Sequence, residues 1–258
     1  MQQPNPLAEL AKQISDIAAT FRTAFQKIEV QVSQAFDAFY PVMLAIAESV
    51  QKLPSDLRVV VSALAERGWY ISGGMDIPLL RKLQMAAESQ DFTLLDQLME
   101  SWVAHAAPEI EADAVARFAN RTAIIAAAFE AHRREQFELS VPVLLIQVEG
   151  MCVQELGVKF YSTTKGVPNT KKLAESMVDN PIMDVFLLPL RQPSGLTAST
   201  EFRSNYPHAL NRHEVLHGTN TDYPSLTNSL KAISLMGYFV SLVAKERPAS
   251  ASVETATS

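Results

Sequence analysis

Apolar side chains recur at three- and four-residue spacing along most of the chain, and few glycines break the pattern. Leu7, Leu10, Ile14, Ile17, Phe21, Ala24 and Ile28 begin the series, and Val32, Phe36, Phe39, Met43, Ile46, Val50 and Leu53 carry it on. That period buries one stripe of a helix, whereas a half-buried strand would alternate every second residue. Only 9 of 258 residues are glycine, while Ala, Leu, Glu and Gln are plentiful, which favours helix over sheet. The fold class expected is therefore all-α, a helical bundle that opens with a long amphipathic helix interrupted before Pro41. So long a helix without a glycine stop packs into a bundle or a two-chain seam, and one face of an intramolecular bundle is the simpler expectation.

Four regions follow: an N-terminal amphipathic segment at 1–55, a helical middle at 56–118, a helical domain at 119–246 and a disordered tail at 247–258. Pro54-Ser55-Asp56 reads as a stop and a new N-cap for a helix at 56–67, closed by Gly68. Helices are expected at 77–89 and at 92–106 from Asp91, another starting at Pro108, and one at 120–137. His105 and His132 lack ligand-like neighbours at helical spacing and are expected to cap or pack. A helix at 141–157 is apolar nearly all round, with Pro142 in its first turn, which marks it as central. Within it Glu149 must be paired, protonated or facing a polar cleft, because burying a bare carboxylate is very costly. Arg212 is the partner expected. Gly150 beside it permits close approach of another element. Residues 158–210 read as loops around a short helix at 170–178 and an apolar patch at 182–188, before a last helix from Ser225 to about Lys245.

One cysteine, Cys152, excludes an internal disulfide and any multi-cysteine metal site. No signal peptide is read at the start, and no uncharged apolar run approaches the roughly 20 residues of a membrane span. A cytoplasmic protein that does not engage membranes is expected. The net charge of −6 argues against general polyanion binding. The charge is uneven, however: residues 1–158 carry 12 Lys/Arg against 20 Asp/Glu, and residues 159–212 carry 7 against 4. The one net-basic segment leads into a histidine cluster, as a local phosphate-binding surface would.

Two chemistries overlap in that cluster. His213-Glu214-Val215-Leu216-His217 has the His-Glu-x-x-His pattern of zinc peptidases, with both imidazoles on one helix face and a carboxylate to activate water. Its context is poor. The only downstream carboxylates are Asp222, Glu246 and Glu254, Gly218 ends the helix where a zinc motif continues, and strand signal is scant. Arg212 through His217 is also an Arg-x4-His, which needs no metal and no cofactor. Arg212 would clamp a phosphate, and His217 would move the proton of a 2′-hydroxyl. Five residues apart on a regular helix, the two point about 140° apart. They converge only if the helix distorts or ends there, or if a second copy completes the site.

Asn211-Arg212-His213-Glu214-Val215-Leu216-His217-Gly218, followed by Asp222-Tyr223 and Asn228-Ser229-Leu230-Lys231-Ala232-Ile233, resembles the C-terminal signature of the HEPN superfamily. The likeness extends upstream to Val141–Gly150 and, more weakly, to Ala128–His132, so it covers about residues 120–245. It implies an all-α bundle, a homodimer that brings two Arg/His pairs into one cleft, and metal-independent RNA cleavage by a toxin or phage-defence effector with a possible antitoxin or defence-system partner. Carried over by position, Arg212 and His217 are the catalytic pair, with His213, Glu149 and Asn211 in support. Some members keep the fold without ribonuclease activity, so a HEPN-like nucleotide-binding or oligomerisation module is the alternative.

Overall fold

The computed structural model describes residues 53–198 and 202–244. The N-terminal segment expected to form a long helix lies, up to residue 52, outside the described residues, as does the expected tail. The protein is all-α, apart from one two-stranded hairpin. Three long helices form its centre: α3 (Phe92–Arg117), α5 (Phe137–Leu156) and α10 (Leu226–Ala244). Around them lie α1 (Leu53–Arg67), α2 (Ile77–Glu88), α4 (Thr122–Arg133), α6 (Lys171–Ser176), α7 (Pro181–Phe186), α8 (Leu188–Arg191) and α9 (Arg212–Leu216).

The most central helix is α10, not α5. Every residue of α10 from Ser229 to Val240 is buried, against α3 on one side and α5 on another. In contrast, α5 leaves Leu139, Ile146 and Val153 exposed at seven-residue intervals. Both helices are long and apolar enough to cross a membrane by length and composition, although α10 is mostly packed inside the protein. Their side chains belong to a single core that runs from Val60 and Trp69 through Phe129 and Leu144 to Phe239 and Val243. The regions expected at 56–118 and 119–246 thus share one core.

Proline placement differs from expectation twice, for one physical reason. A helix was expected to start at Pro108, yet α3 runs through it. Pro108 is exposed, and the stripe Leu95, Met99, Val103, Ala107, Ile110 and Ala114 stays buried across it, so packing outweighs one lost backbone bond. Similarly α5 starts at Phe137 and carries Pro142 inside rather than in its first turn. The ring of Pro142 frees the carbonyl of Glu138, and the Tyr223 hydroxyl donates to it at 2.9 Å. The expected N-cap at Ser55-Asp56 also falls inside α1. The helix expected at 120–137 is shorter, a 3-10 turn at Ala119–Arg121 leading into α4.

Other signals read locally. Asp76 and Asp91 cap α2 and α3 by accepting the amides of Leu79 and Leu94. The Ser225 hydroxyl accepts the amide of Asn228 at the start of α10. Gly150 of α5 sits beneath the Arg121 guanidinium, whose Nη1 lies 2.7 Å from where a β-carbon would be, and Arg121 donates to Gln147 and Gln154.

Candidate functional site

The motif occupies α9, a helix of five residues fixed at both ends. At its start Asn211 is 3% exposed, and its Oδ1 accepts the amide of Glu214 at 3.0 Å. Its Nδ2 donates to the carbonyls of Gly195 and Ala198 at 2.8 and 2.9 Å. The side chain is thus an N-cap and a tie to the preceding loop at once. At the far end the chain turns through Gly218 at φ 68. The Thr219 amide reaches back to the Glu214 carbonyl and the Gly218 amide to that of Val215, the paired bonds of a Schellman stop. Val215 is buried and faces the core, where α9 packs on α5.

That anchoring divides the polar side chains into two groups. Arg212, half-buried, lays its guanidinium over the ring of Tyr161 at 5.2 Å from the centroid. Beneath it the Tyr161 hydroxyl donates to the Leu145 carbonyl at 2.9 Å, and its amide donates to Glu149 Oε2 at 3.1 Å. Among the described residues, therefore, Glu149 and Arg212 form no ion pair with each other; each engages Tyr161 instead. The expected partner of Glu149 is replaced by a backbone amide because the Tyr161 ring fills the place next to the guanidinium. Burial, with the charge of Glu149 added, pushes the Tyr161 hydroxyl well above its ordinary range, and Arg212 opposes the shift. Burial and the same carboxylate push the Cys152 thiol up to about 12, so it stays protonated and unreactive.

On the solvent side, His213 and His217 are both exposed and pack ring against ring, with centroids 4.3 Å apart. Their four-residue spacing accounts for this. Arg212 and His217 have no contact with each other among the described residues. Asn211, Arg212, His213 and His217 thus share one short helix, and Glu149 joins them only through Tyr161. Sequence reasoning missed Tyr161 and Arg203. Arg203 Nε donates to Glu214 Oε2 at 3.0 Å, and its other nitrogens reach the carbonyls of Tyr206 and Ala209. An aromatic pair in a loop, Phe160-Tyr161, carries no periodic signal, and only the fold reveals what it supports.

Glu214 is consequently engaged by Arg203 rather than standing free beside the imidazoles. Among the described residues no three His, Cys, Asp or Glu side chains converge where they could hold a metal. The guanidinium keeps unused donors: Arg212 Nε is buried without a hydrogen-bond partner. Such a cation, with two solvent-facing imidazoles one and five residues further along the same short helix and its C-cap, is equipped to take an oxyanion and to move protons near it. Comparison with protein-family models, with curated proteins and with solved structures finds nothing that matches this chain.

Proposed function

We propose that the chain is a metal-independent endoribonuclease of HEPN type, a toxin or phage-defence effector acting in the cytoplasm. One observation carries the reading: Arg212 rests on an aromatic face with donors to spare and no carboxylate partner among the described residues, next to the exposed His213–His217 pair. Arg212 holds the scissile phosphate and offsets the charge that builds on its oxygens. His217 takes the proton of the 2′-hydroxyl as that oxygen bonds to phosphorus. The bond from phosphorus to the 5′ oxygen breaks, and an imidazolium delivers a proton to that oxygen. The products are a 2′,3′-cyclic phosphate and a 5′-hydroxyl.

Arg212 packs inward while His217 faces solvent, so one chain presents the two groups in different directions. A second copy, with its own Arg/His pair opposite, completes the site in this reading, and an antitoxin or defence-system partner is the natural regulator. The alternative is a HEPN-like RNA- or nucleotide-binding or oligomerisation module without catalysis. The seat of Arg212 on Tyr161 favours it, since a stacked guanidinium is also a structural contact.

The test is RNA cleavage by purified protein in excess chelator. Arg212→Ala and His217→Ala are each expected to lower the rate by a factor of about 10² to 10⁴. Activity abolished by chelator and restored by zinc would overturn the reading in favour of metal chemistry at His213 and His217. Wild type inert on RNA, with both variants forming the same dimer, favours the binding module.

A further inference from the structure

The segment just before the motif carries a second basic feature that the proposed reaction does not use. Residues 157–174 contain Lys159, Lys165, Lys171 and Lys172 and no acidic residue, in a chain of net charge −6. Within it β1 (Thr163–Thr164) pairs with β2 (Val167–Pro168) as a hairpin, and Lys171 and Lys172 open α6 just after it. Lys165 and Gly166 form the two-residue turn at φ 52 and 77, the left-handed pair of a type I′ turn. Asparagine suits the first of those positions, whereas a lysine there costs roughly 1–2 kcal/mol. The chain nevertheless holds a lysine at the tip.

The hairpin is anchored rather than loose. Phe160, Tyr161, Pro168 and Thr170 are buried at its foot, and the Thr170 hydroxyl donates to the Leu190 carbonyl at 2.6 Å. Its other face is solvent. Lys159, Lys165 and Lys172 are exposed and make no ion pair among the described residues, whereas Lys171 lies 3.9 Å from Glu175. The Ser162–Asn169 bond continues the ladder toward the foot, which sets Lys159 and Lys172 at one end and Lys165 at the other. From the Ser162–Asn169 pair to the turn, three residues of extended chain span roughly 10 Å, and below that pair the chain turns back, the Ser162 amide reaching the Lys159 carbonyl. Lys159 is two residues from Tyr161, the ring that carries Arg212, so the basic foot begins within about 7 Å of chain from that seat.

We propose that this hairpin and the first turn of α6 after it are the strand-binding surface of the Arg212 site, with Lys159, Lys165 and Lys172 holding phosphates of single-stranded RNA beyond the one clamped by Arg212. The inference rests on the ribonuclease reading of that site and names the surface that holds the strand on either side of the cut. Stacked nucleotides advance about 3.4 Å each along a strand, so roughly 10 Å of hairpin matches about three nucleotides. A single strand fits better than a duplex, because attack by the 2′ oxygen in line with the leaving oxygen needs a nucleotide free to leave A-form geometry. An anionic bilayer is the competing polyanion, but Val167 is the one exposed apolar side chain at the tip.

The test is binding of the full chain to 2′-O-methyl RNA, which cannot be cut by 2′-oxygen attack, as a 15-mer and a 3-mer across a salt series. The triple variant K159Q/K165Q/K172Q is compared with wild type and with Arg212→Ala. The expected result is a salt slope for the 15-mer shallower by about 2 in the triple variant, since each lost phosphate contact on a single strand is worth about 0.7. The 3-mer reaches at most one of the lysines, so its slope is expected to change by no more than about 0.7. Equal slopes for wild type and triple variant overturn the inference whether or not RNA is cleaved. An uncleaved natural RNA whose 15-mer binding still depends on the lysines, but not on Arg212, sinks the reaction and leaves the strand surface standing. Lysine-dependent binding to vesicles of phosphatidylserine, without 15-mer binding, overturns it in favour of a membrane surface. The three side chains are exposed, so the variant is expected to melt with wild type, and each single substitution gives a third of the slope change.

Discussion

Asn211 does the most for its size. A resemblance by position gave it a supporting place, and the geometry gives that support a physical form: one amide oxygen caps α9 while the amide nitrogen satisfies two carbonyls of the loop before it. Asn211→Ala loses the cap, worth about 1 kcal/mol, and leaves buried carbonyls without a donor, at about 1–3 kcal/mol. A loss of about 2–4 kcal/mol in urea denaturation is expected. Asn211→Asp keeps the capping oxygen but turns an anion toward the carbonyls of Gly195 and Ala198, so it is expected to destabilise at least as much. An Asp variant as stable as wild type would show that only the cap matters. The stop of α9 was legible in the sequence, since Gly218 is a local signal, whereas Asn211 entered by resemblance alone and its capping role came only with the fold. The Tyr161 seat was not, because a ring fifty residues away in the chain meets the guanidinium only after folding.

Helix starts were legible where an apolar stripe followed a capping residue, as at Asp91 and Ser225. They were misread where proline suggested a boundary that tertiary contacts override, at Pro108 and Pro142. The histidine expected to pack, His132, joins three elements: its Nδ1 on α4 lies 2.8 Å from Ser229 Oγ on α10, which lies 2.8 Å from Ser140 Oγ on α5. Both hydroxyls are fully buried. Burial, and then the charge of Arg133, hold the His132 pKa below its usual value. The unfolded chain therefore binds a proton more readily at this position, and stability rises with pH across the window. The contribution is complete above about pH 6.5 and fades as pH falls below it toward the folded value. His132→Gln removes the titration, so the stability difference between wild type and variant is expected to shrink as pH falls from 7.5 to 5. Parallel stability curves over that range would count against a proton-linked joint between α4, α5 and α10.

At the scale of the whole molecule, the main core borders a charged knot that no sequence pattern announced. Arg67 of α1 pairs with Asp96 of α3, and the indole of Trp69 donates to the same carboxylate at 2.8 Å. Although burial alone would raise it, those hydrogen bonds hold the Asp96 carboxyl below its usual value. Lys231 of α10, 4% exposed, completes the knot. Its Nζ sits 5.3 Å from the Trp69 ring centroid and donates to the His208 carbonyl at 2.6 Å. The same loop is gripped by Arg203 at Tyr206 and Ala209, so two cations hold the chain that delivers Arg212. Burial drives the Lys231 pKa down to about 8, with Asp96 and Glu100 opposing the shift and Arg67 and Arg203 assisting it. Here the unfolded chain, with an ordinary lysine near 10.4, holds its proton longer than the folded one. The wild type is therefore expected to gain stability relative to Lys231→Met as pH rises from about 8 toward 10, and to level off beyond. Urea denaturation of both proteins at pH 7.5, 8.5 and 9.5 measures this, and histidines and carboxylates are silent in that window. A difference that stays constant or moves the other way would mean that Lys231 remains charged, held by Asp96 and the carbonyl more strongly than burial disfavours it.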